Sequence, residues 1–169
     1  MLFLGIDPGL TRAGIGLVES IHGQQTAKDW LTIETDDALP LSDRLRELGN
    51  DLRAFLKEAK PDIAIVEELF FATNKQTAMR TAAARGVILY LLADAAVPII
   101  TATPLQLKMA ITGDGKADKK QMQTMVQRIL KLKELPTPAD AADALGLALY
   151  GAFTHQFDAS LHLPTHRRS

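Results

Sequence analysis

The pattern of apolar and polar positions predicts three strands at the start of the chain. Leu2 to Ile6 is a short apolar run that ends at Asp7-Pro8-Gly9, which is typical of a buried strand followed by a turn. Ala13 to Glu19 and Ala27 to Ile33 carry further apolar residues between short polar turns. We therefore expect three consecutive strands joined as an antiparallel meander.

After these strands the apolar positions change to a helical spacing. From Leu41 to Leu56 they recur at steps of three and four residues, which defines the apolar stripe of a helix that ends before Pro61. Ile63 to Val66 and Val97 to Thr101 are continuous apolar runs, typical of buried strands. The alternation of strand and helix implies that this part of the sheet is parallel.

Helices account for the remaining periodic segments. An alanine-rich helix from Lys75 to Asp94 is expected between the two later strands, with Asn74 as its N-cap. Three more helices are predicted after the last strand, at Pro104 to Ile111, Asp118 to Leu132 and Ala139 to about Phe153. The pattern therefore predicts an α/β protein with one mixed sheet of five strands.

Length and composition favour one globular domain. The chain has 169 residues, of which 47% are apolar and 23% charged, as in ordinary soluble proteins. We expect a single domain over residues 1–155 and a flexible C-terminal tail over residues 156–169. Without a membrane-spanning apolar run or a signal sequence, a cytoplasmic location is expected. The absence of cysteine excludes disulfides and thiolate metal ligands.

The charge of the chain is distributed unevenly. The formal net charge is −1, which gives no overall attraction to a polyanion. Between Lys108 and Lys133, however, seven basic residues stand against two acidic ones, a local charge of +5. A nucleic-acid partner would therefore have to be bound through this stretch.

Carboxylates follow the two strands that are expected to be parallel neighbours. Asp7 comes directly after the first, and Glu67-Glu68 directly after the fourth. Asp140 and Asp143, spaced i and i+3, lie on one face of the last helix. Each also has an ordinary structural explanation: Asp7 can form a turn, Asp140 can favour a helix N-terminus, and Glu68 can face solvent.

The surroundings of Asp143 favour a metal site over these separate explanations. Two alanines precede it and Ala144-Leu145 follow, so the residue lies on an apolar face where an unpaired carboxylate would be costly. Divalent cations would offset that cost. Oxygen ligands alone suit Mg²⁺ or Mn²⁺, and two such ions can serve one site of phosphodiester cleavage.

Three segments of the chain resemble the RuvC-type Holliday-junction resolvases. They are Leu4-Gly5-Ile6-Asp7-Pro8-Gly9, Val66 to Asn74, and Ala139-Asp140-Ala141-Ala142-Asp143-Ala144-Leu145. Their order and spacing also match, and the resemblance extends from Leu2 to Tyr150. The first segment alone is weak, since other proteins carry it, whereas the last segment together with Glu67-x-x-Phe70 is far more specific. The resemblance implies an RNase H-like fold, with helices on both faces of the sheet.

The resemblance also implies roles for individual residues. Asp7, Glu67, Asp140 and Asp143 would be the catalytic carboxylates and would bind Mg²⁺ or Mn²⁺, with two ions in each active site. Glu68 departs from the family, which often has an amide there; we assign the metal-binding role to Glu67 because it directly follows the strand. The implied DNA contacts are Phe70, Lys108 and Lys119, and the basic stretch adds Lys116 and Lys120 as further candidates.

The implied activity is structure-specific cleavage of DNA. A homodimer would make two symmetric nicks in a four-way junction, leaving 5′-phosphate ends, during homologous recombination and DNA repair. A branch-migration motor of the RuvA–RuvB type is the expected partner complex. The helix after Asn74 is the expected dimer contact, because Ala78, Ala82 and Gly86 form a ridge of small residues; the alternative is that this ridge packs against the sheet of the same chain.

Each of these assignments has an alternative. Phe70 and Phe71 can pack beneath a helix, and lysines on helix surfaces are usually solvated. Asp7-Pro8-Gly9 would be a phosphate loop in an actin-like nucleotide-binding domain, although such proteins duplicate the fold and 169 residues hold one copy. A junction-binding module without activity is the second alternative, which the presence of all four carboxylates disfavours.

Overall fold

The computed structural model describes residues 1–68 and 75–161, with the side chains of Lys75 and of residues 156–161 left undescribed. Its centre is a five-stranded sheet in the order β3-β2-β1-β4-β5. The strands are β1 Leu2–Asp7, β2 Arg12–Ile21, β3 Gln24–Glu34, β4 Ile63–Glu67 and β5 Ile99–Ala102. The five predicted strands are thus confirmed.

The sheet is mixed, as its sequence pattern predicts. β1 pairs with β2 antiparallel and with β4 parallel, so that it lies at the centre of the sheet. β2 and β3 form a hairpin around His22 and Gly23, whose φ values of 49° and 81° are those of a tight two-residue turn. The carboxyl ends of β1 and β4 therefore meet at the same edge.

Helices cover both faces of the sheet, which confirms the expected architecture. They are α1 Leu41–Ala59, α2 Lys75–Asp94, α3 Pro104–Thr112, α4 Lys119–Leu130 and α5 Ala139–Leu161. One core lies between the sheet and the α1/α2 layer, and a second lies between the sheet and the layer of α3, α4 and α5. No helix in the described ranges is long and apolar enough to cross a bilayer.

Strand alternation assigns the residues of β1 to these two cores. Leu4 and Ile6 are fully buried in the core beneath α1 and α2. Phe3 lies in the other core, and Gly5 faces the backbone of α5. Since successive side chains of a strand point to opposite faces, Asp7 shares the α5 face with Phe3 and Gly5.

Several boundaries differ from their predicted positions; β2 and β3, for example, are longer than predicted at both ends. β5 begins at Ile99 instead of Val97, because the backbone N–H of Val97 bonds to Leu92 at the end of α2. α4 ends at Leu130, since Lys131 adopts a left-handed conformation with φ 53°. α5 continues past Phe153 to Leu161, so the helix extends into residues 156–161. The predicted N-cap Asn74 and residues 162–169 lie outside the described residues.

Candidate active site

β1 and β4 bring two carboxylates to the same face of the sheet. Ile6 is paired with Val66, so Asp7 and Glu67 extend from neighbouring positions at the ends of parallel strands. Glu67 follows Ile65 by two residues, and Ile65 is buried in the α5 core. Alternation therefore directs both Asp7 and Glu67 toward α5.

Glu68 extends toward the opposite face. Its carboxylate accepts a hydrogen bond of 2.9 Å from the hydroxyl of Thr101. Thr101 is paired with Val66, which is buried in the core beneath α1 and α2. The structure thus separates the two adjacent glutamates and places Glu67, the one assigned from the sequence, on the side of the other carboxylates.

α5 adds Asp140 and Asp143 from its first turns. The helix begins directly on the sheet, because β2 has glycine where α5 crosses it. A side chain at Gly14 would overlap the carbonyl oxygen of Asp140, and one at Gly16 would meet the backbone of Ala144 and Leu145. Gly14 is also the strand partner of Asp7, so the same contact places α5 next to β1.

The four carboxylates form one compact acidic site. Oxygen atoms of Asp7, Asp140 and Asp143 all lie within 4.8 Å of one another, close enough to bind one metal ion together. Glu67 is outside that group, but it is close enough to Asp7 for the charge of its carboxylate to raise the pKa of Asp7. Lys119, at the start of α4, adds its ammonium nitrogen 3.1 Å from Asp143 and 3.8 Å from Asp140.

Burial and crowding of like charges make this site hard to ionise. Burial, followed by the charges of the other carboxylates, raises the pKa of Asp7 to about 8 from an ordinary value of 3.8. Burial is also the main cause of the raised pKa of Glu67 and of Asp143. Burial acts to lower the pKa of Lys119, but its hydrogen bond to Asp143 and the nearby negative charges outweigh it, so that pKa is raised.

These properties fit a divalent metal centre. Among the described residues, four carboxylates face Lys119, with Lys108 also nearby, which leaves an excess of negative charge in a partly buried place. Hard divalent cations prefer carboxylate oxygen ligands, and their charge would favour ionisation of all four groups. The side chains of the site therefore suit a metal that binds through oxygen, as the sequence suggested.

Comparison with known proteins identifies the family. The model of the family described as crossover junction endodeoxyribonuclease RuvC matches residues 3–151. The chain belongs to the RuvC family. It is 44% identical over 161 residues to the RuvC of Syntrophomonas wolfei, covering 95% of this chain and 94% of that protein. It is 48% identical over 152 residues to that of Salinispora arenicola, covering 88% and 86%.

A solved structure from the same family agrees with the fold. RuvC from T. thermophilus, in complex with Holliday junction substrate, superimposes with a TM-score of 0.88 at 33% sequence identity, covering 94% of this chain and 96% of that one. The yeast mitochondrial Holliday junction resolvase shares the fold with a TM-score of 0.65 at 13% identity. The RNase H-like architecture expected from the resemblance is therefore confirmed.

The basic residues named from the sequence lie in different places around this RuvC-family site. Lys108 and Lys119 line a pocket of about 180 Å³ together with Glu67 and Asp143. Lys120 lines a separate hollow of about 420 Å³ near Arg128. Lys116 is exposed in the loop before α4, and its backbone N–H donates to Asp114. Phe70 lies outside the described residues.

Two arginines support the site and were not foreseen from the sequence. Arg44 is buried and donates 2.9 Å hydrogen bonds to Thr35 and to Thr11, which belongs to the turn after Asp7. Arg85 on α2 donates to the backbone carbonyl of Glu67. The position of Arg44, four residues before buried Leu48 on the α1 stripe, is the signal that could have identified it.

Proposed function

We propose that this chain is a metal-dependent endonuclease that cleaves phosphodiester bonds in four-way DNA junctions. The observation that carries the proposal is the convergence of Asp7, Asp140 and Asp143 within 4.8 Å, beside Glu67, in a RuvC-family chain. Support for the substrate comes from the T. thermophilus relative, whose structure contains Holliday junction substrate. Hydrolysis would leave 5′-phosphate and 3′-hydroxyl ends.

We assign Asp7, Glu67, Asp140 and Asp143 as catalytic metal ligands. Their oxygen-only chemistry favours Mg²⁺ or Mn²⁺, and four carboxylates are enough to hold two ions. When bound, two divalent ions would supply positive charge to the attacking and the leaving oxygen of the phosphodiester. The carboxylates themselves fix where that charge is placed, because β1, β4 and α5 hold them from three directions.

Lysines at the edge of the site would bind the DNA backbone. Lys119 remains 56% exposed while it contacts Asp143, so its ammonium group can also reach a phosphate in the pocket. Lys108 lines the same pocket from α3. Lys116 and Lys120 are also exposed and are close to Lys119 in sequence. They would add phosphate contacts farther from the carboxylates. We retain Phe70 as a proposed contact to a DNA base.

The active form is proposed to be a homodimer formed through α2. Its inner side is buried at Ala84, Ile88 and Leu92. Its outer side carries an exposed small-residue and apolar stripe, which consists of Met79, Ala82, Gly86 and Tyr90. Met79 is 74% exposed and Tyr90 is 64% exposed, which is unusual for large apolar side chains on one face. A second copy of the chain would bury this stripe, and the C2 symmetry of such a dimer suits two nicks in one junction.

In the cell the enzyme would act in homologous recombination and DNA repair. We further propose that a branch-migration motor of the RuvA–RuvB type delivers the junction. We retain residues 1–155 as the nuclease domain, because the carboxylates and both cores lie within that range.

The test is a cleavage assay on synthetic four-way junctions and on linear duplex of the same sequences. Paired nicks in the junction that require Mg²⁺ or Mn²⁺, with little cleavage of the duplex, are expected. Binding of the junction without cleavage in either metal would identify an inactive binding module instead. Equal cleavage of both DNAs would contradict the proposed substrate.

A further inference from the structure

A groove on the α5 side of the sheet is not used by the proposed chemistry. It has a volume of about 490 Å³ and is lined by Trp30 of β3 and by the loop between α4 and α5. The lining residues from this loop include Lys131, Lys133, Leu135 and Thr137. Trp30 is the single tryptophan of the chain, and it is half-buried beside the second core.

One end of the groove lies near the start of α5. Thr137 at one end precedes α5, whose first turn carries Asp140. Trp30 is paired with Gly16 of β2, where the backbone of α5 crosses the sheet, so the groove lies on the β3 side of α5. A molecule lying in the groove would therefore be next to the start of α5, which carries Asp140 and Asp143.

The charges of the groove favour a polyanion. Lys131 and Lys133 are exposed, and neither forms an ion pair with any residue in the described part of the chain. Among the described residues that line the groove, Glu134 is the only acidic one. Two free ammonium groups beside an aromatic ring and Leu135 can bind phosphates while the apolar groups contact sugars or bases.

We propose that the Trp30 groove is a second DNA-binding surface, which holds an arm of the substrate alongside the active site. The inference rests on the proposed function, because it takes junction DNA as the ligand. Phosphates would contact Lys131 and Lys133, and Trp30 would pack against the strand between them. The surface would add affinity and orient the arm, without taking part in the chemical step.

The fluorescence emission of Trp30 provides a direct test of this proposal. The full-length protein is titrated with a synthetic four-way junction in EDTA, and tryptophan emission is recorded beside a gel-shift assay. The emission of Trp30 is expected to change and to saturate at the same DNA concentration as the gel shift. Because no other tryptophan exists in the chain, a change reports on this groove.

A pair of double variants tests the charges. Lys131→Glu with Lys133→Glu is expected to weaken junction binding about tenfold and to reduce the slope of log affinity against log salt by about two, as loss of two phosphate contacts would. The control is Lys57→Glu with Lys60→Glu, at the end of α1. It makes the same change in net charge, and Lys60, like Lys131, is a left-handed residue after a helix. Circular dichroism checks that both proteins are folded.

The outcomes separate this inference from the proposed function. If wild-type protein nicks junctions but the emission of Trp30 is unchanged at saturation and both double variants behave alike, the groove is not a DNA surface. An emission change caused only by an added protein partner would also overturn the inference. If the wild type neither binds nor nicks the junction, the proposed function fails together with it.

Discussion

The two helical layers pack against the sheet in different ways. On one face α5 lies with its backbone against the sheet, at Gly5, Gly14 and Gly16. On the other face α1 and α2 contact the sheet through large side chains such as Leu52 and Ile88. Packing through side chains can adjust to a changed shape, whereas contact between backbones cannot. The layer that must hold carboxylates at fixed positions is thus the layer with the least freedom.

The largest expected effect is at the centre of the α5 layer. Asp7→Asn should lower the rate of junction cleavage by at least a hundredfold, since loss of a catalytic group typically costs on the order of that factor or more. Junction affinity should be retained, because binding rests on phosphate contacts. Rates and gel shifts are compared with Asp94→Asn, an exposed control on α2. Cleavage above about a tenth of the wild-type rate would contradict the role of Asp7.

Variants of the two adjacent glutamates test which face of the sheet carries the carboxylate needed for cleavage. Glu67→Gln is expected to abolish most cleavage, because Glu67 faces α5 and lines the same pocket as Asp143. Glu68→Gln should keep near wild-type activity, since its side chain bonds to Thr101 on the opposite face. Single-turnover cleavage rates of the two variants measure the difference. An inactive Glu68 variant beside an active Glu67 variant would reverse the assignment.

The choice of Glu67 shows what could be predicted from the sequence. Strand ends and their alternation are local patterns, so Asp7 and Glu67 could be placed before the structure was known. Asp140 and Asp143 followed from helical spacing and from the resemblance to the family. By contrast, the hydrogen bonds of Arg44 join residues up to 33 positions apart, and no local pattern encodes such partners.

The lysines and the end of α5 show where prediction from sequence stops. Lys119 and Lys120 are neighbours on α4, yet one contacts Asp143 and the other lines a separate hollow. Which way each points depends on how α4 docks onto α5, and this docking is a tertiary property. α5 passes the predicted end at Phe153 because no proline or glycine stops the helix before Leu161.

A glycine pair tests the rigidity of the α5 layer. Gly14→Ala should displace the start of α5, lowering the free energy of unfolding by about 1–3 kcal/mol and cleavage by roughly tenfold. Gly146→Ala adds the same methyl group within α5, where the nearest side chain would be 3.5 Å away. It should leave activity intact and raise stability by up to about 1 kcal/mol. Chemical denaturation and cleavage rates check both, and equal effects would contradict the difference between the layers.

The outer surface of the α1/α2 layer is tested by Ala82→Arg. A long charged side chain in the middle of the α2 stripe should prevent the dimer, giving the 18.4 kDa mass of one chain by light scattering. The fold should persist, and cleavage should change from paired to single nicks, since one subunit has one site. Ala54→Arg, at an exposed alanine of α1, is the matched control and should remain dimeric. A dimeric Ala82→Arg protein would exclude this interface.

The smallest expected effect is a change in the stability of the folded protein with pH. It should arise from the carboxylates of the α5 layer and not from the α1/α2 layer. Asp7 has its pKa raised from 3.8 to about 8, so between these values the folded protein binds more protons than the unfolded chain. The contribution of Asp7 to the stability of the protein in EDTA should therefore be fully present below about pH 4 and be lost as the pH rises toward 8. Glu67 and Asp143 act in the same direction, because their pKa values are also raised.

Thermal melts in EDTA between pH 5 and pH 8 measure this effect. The midpoint of wild type should fall by a few degrees over the range, and that of Asp7→Asn should fall less, because an amide has no proton to lose. Added Mg²⁺ or Mn²⁺ should stabilise wild type more at pH 8 than at pH 5, since cations bind the ionised carboxylates. Asp94→Asn on α2 should follow the wild-type curve. If the midpoint of Asp7→Asn changed with pH in the same way as that of wild type, the raised pKa of Asp7 would not contribute to the stability of the α5 layer.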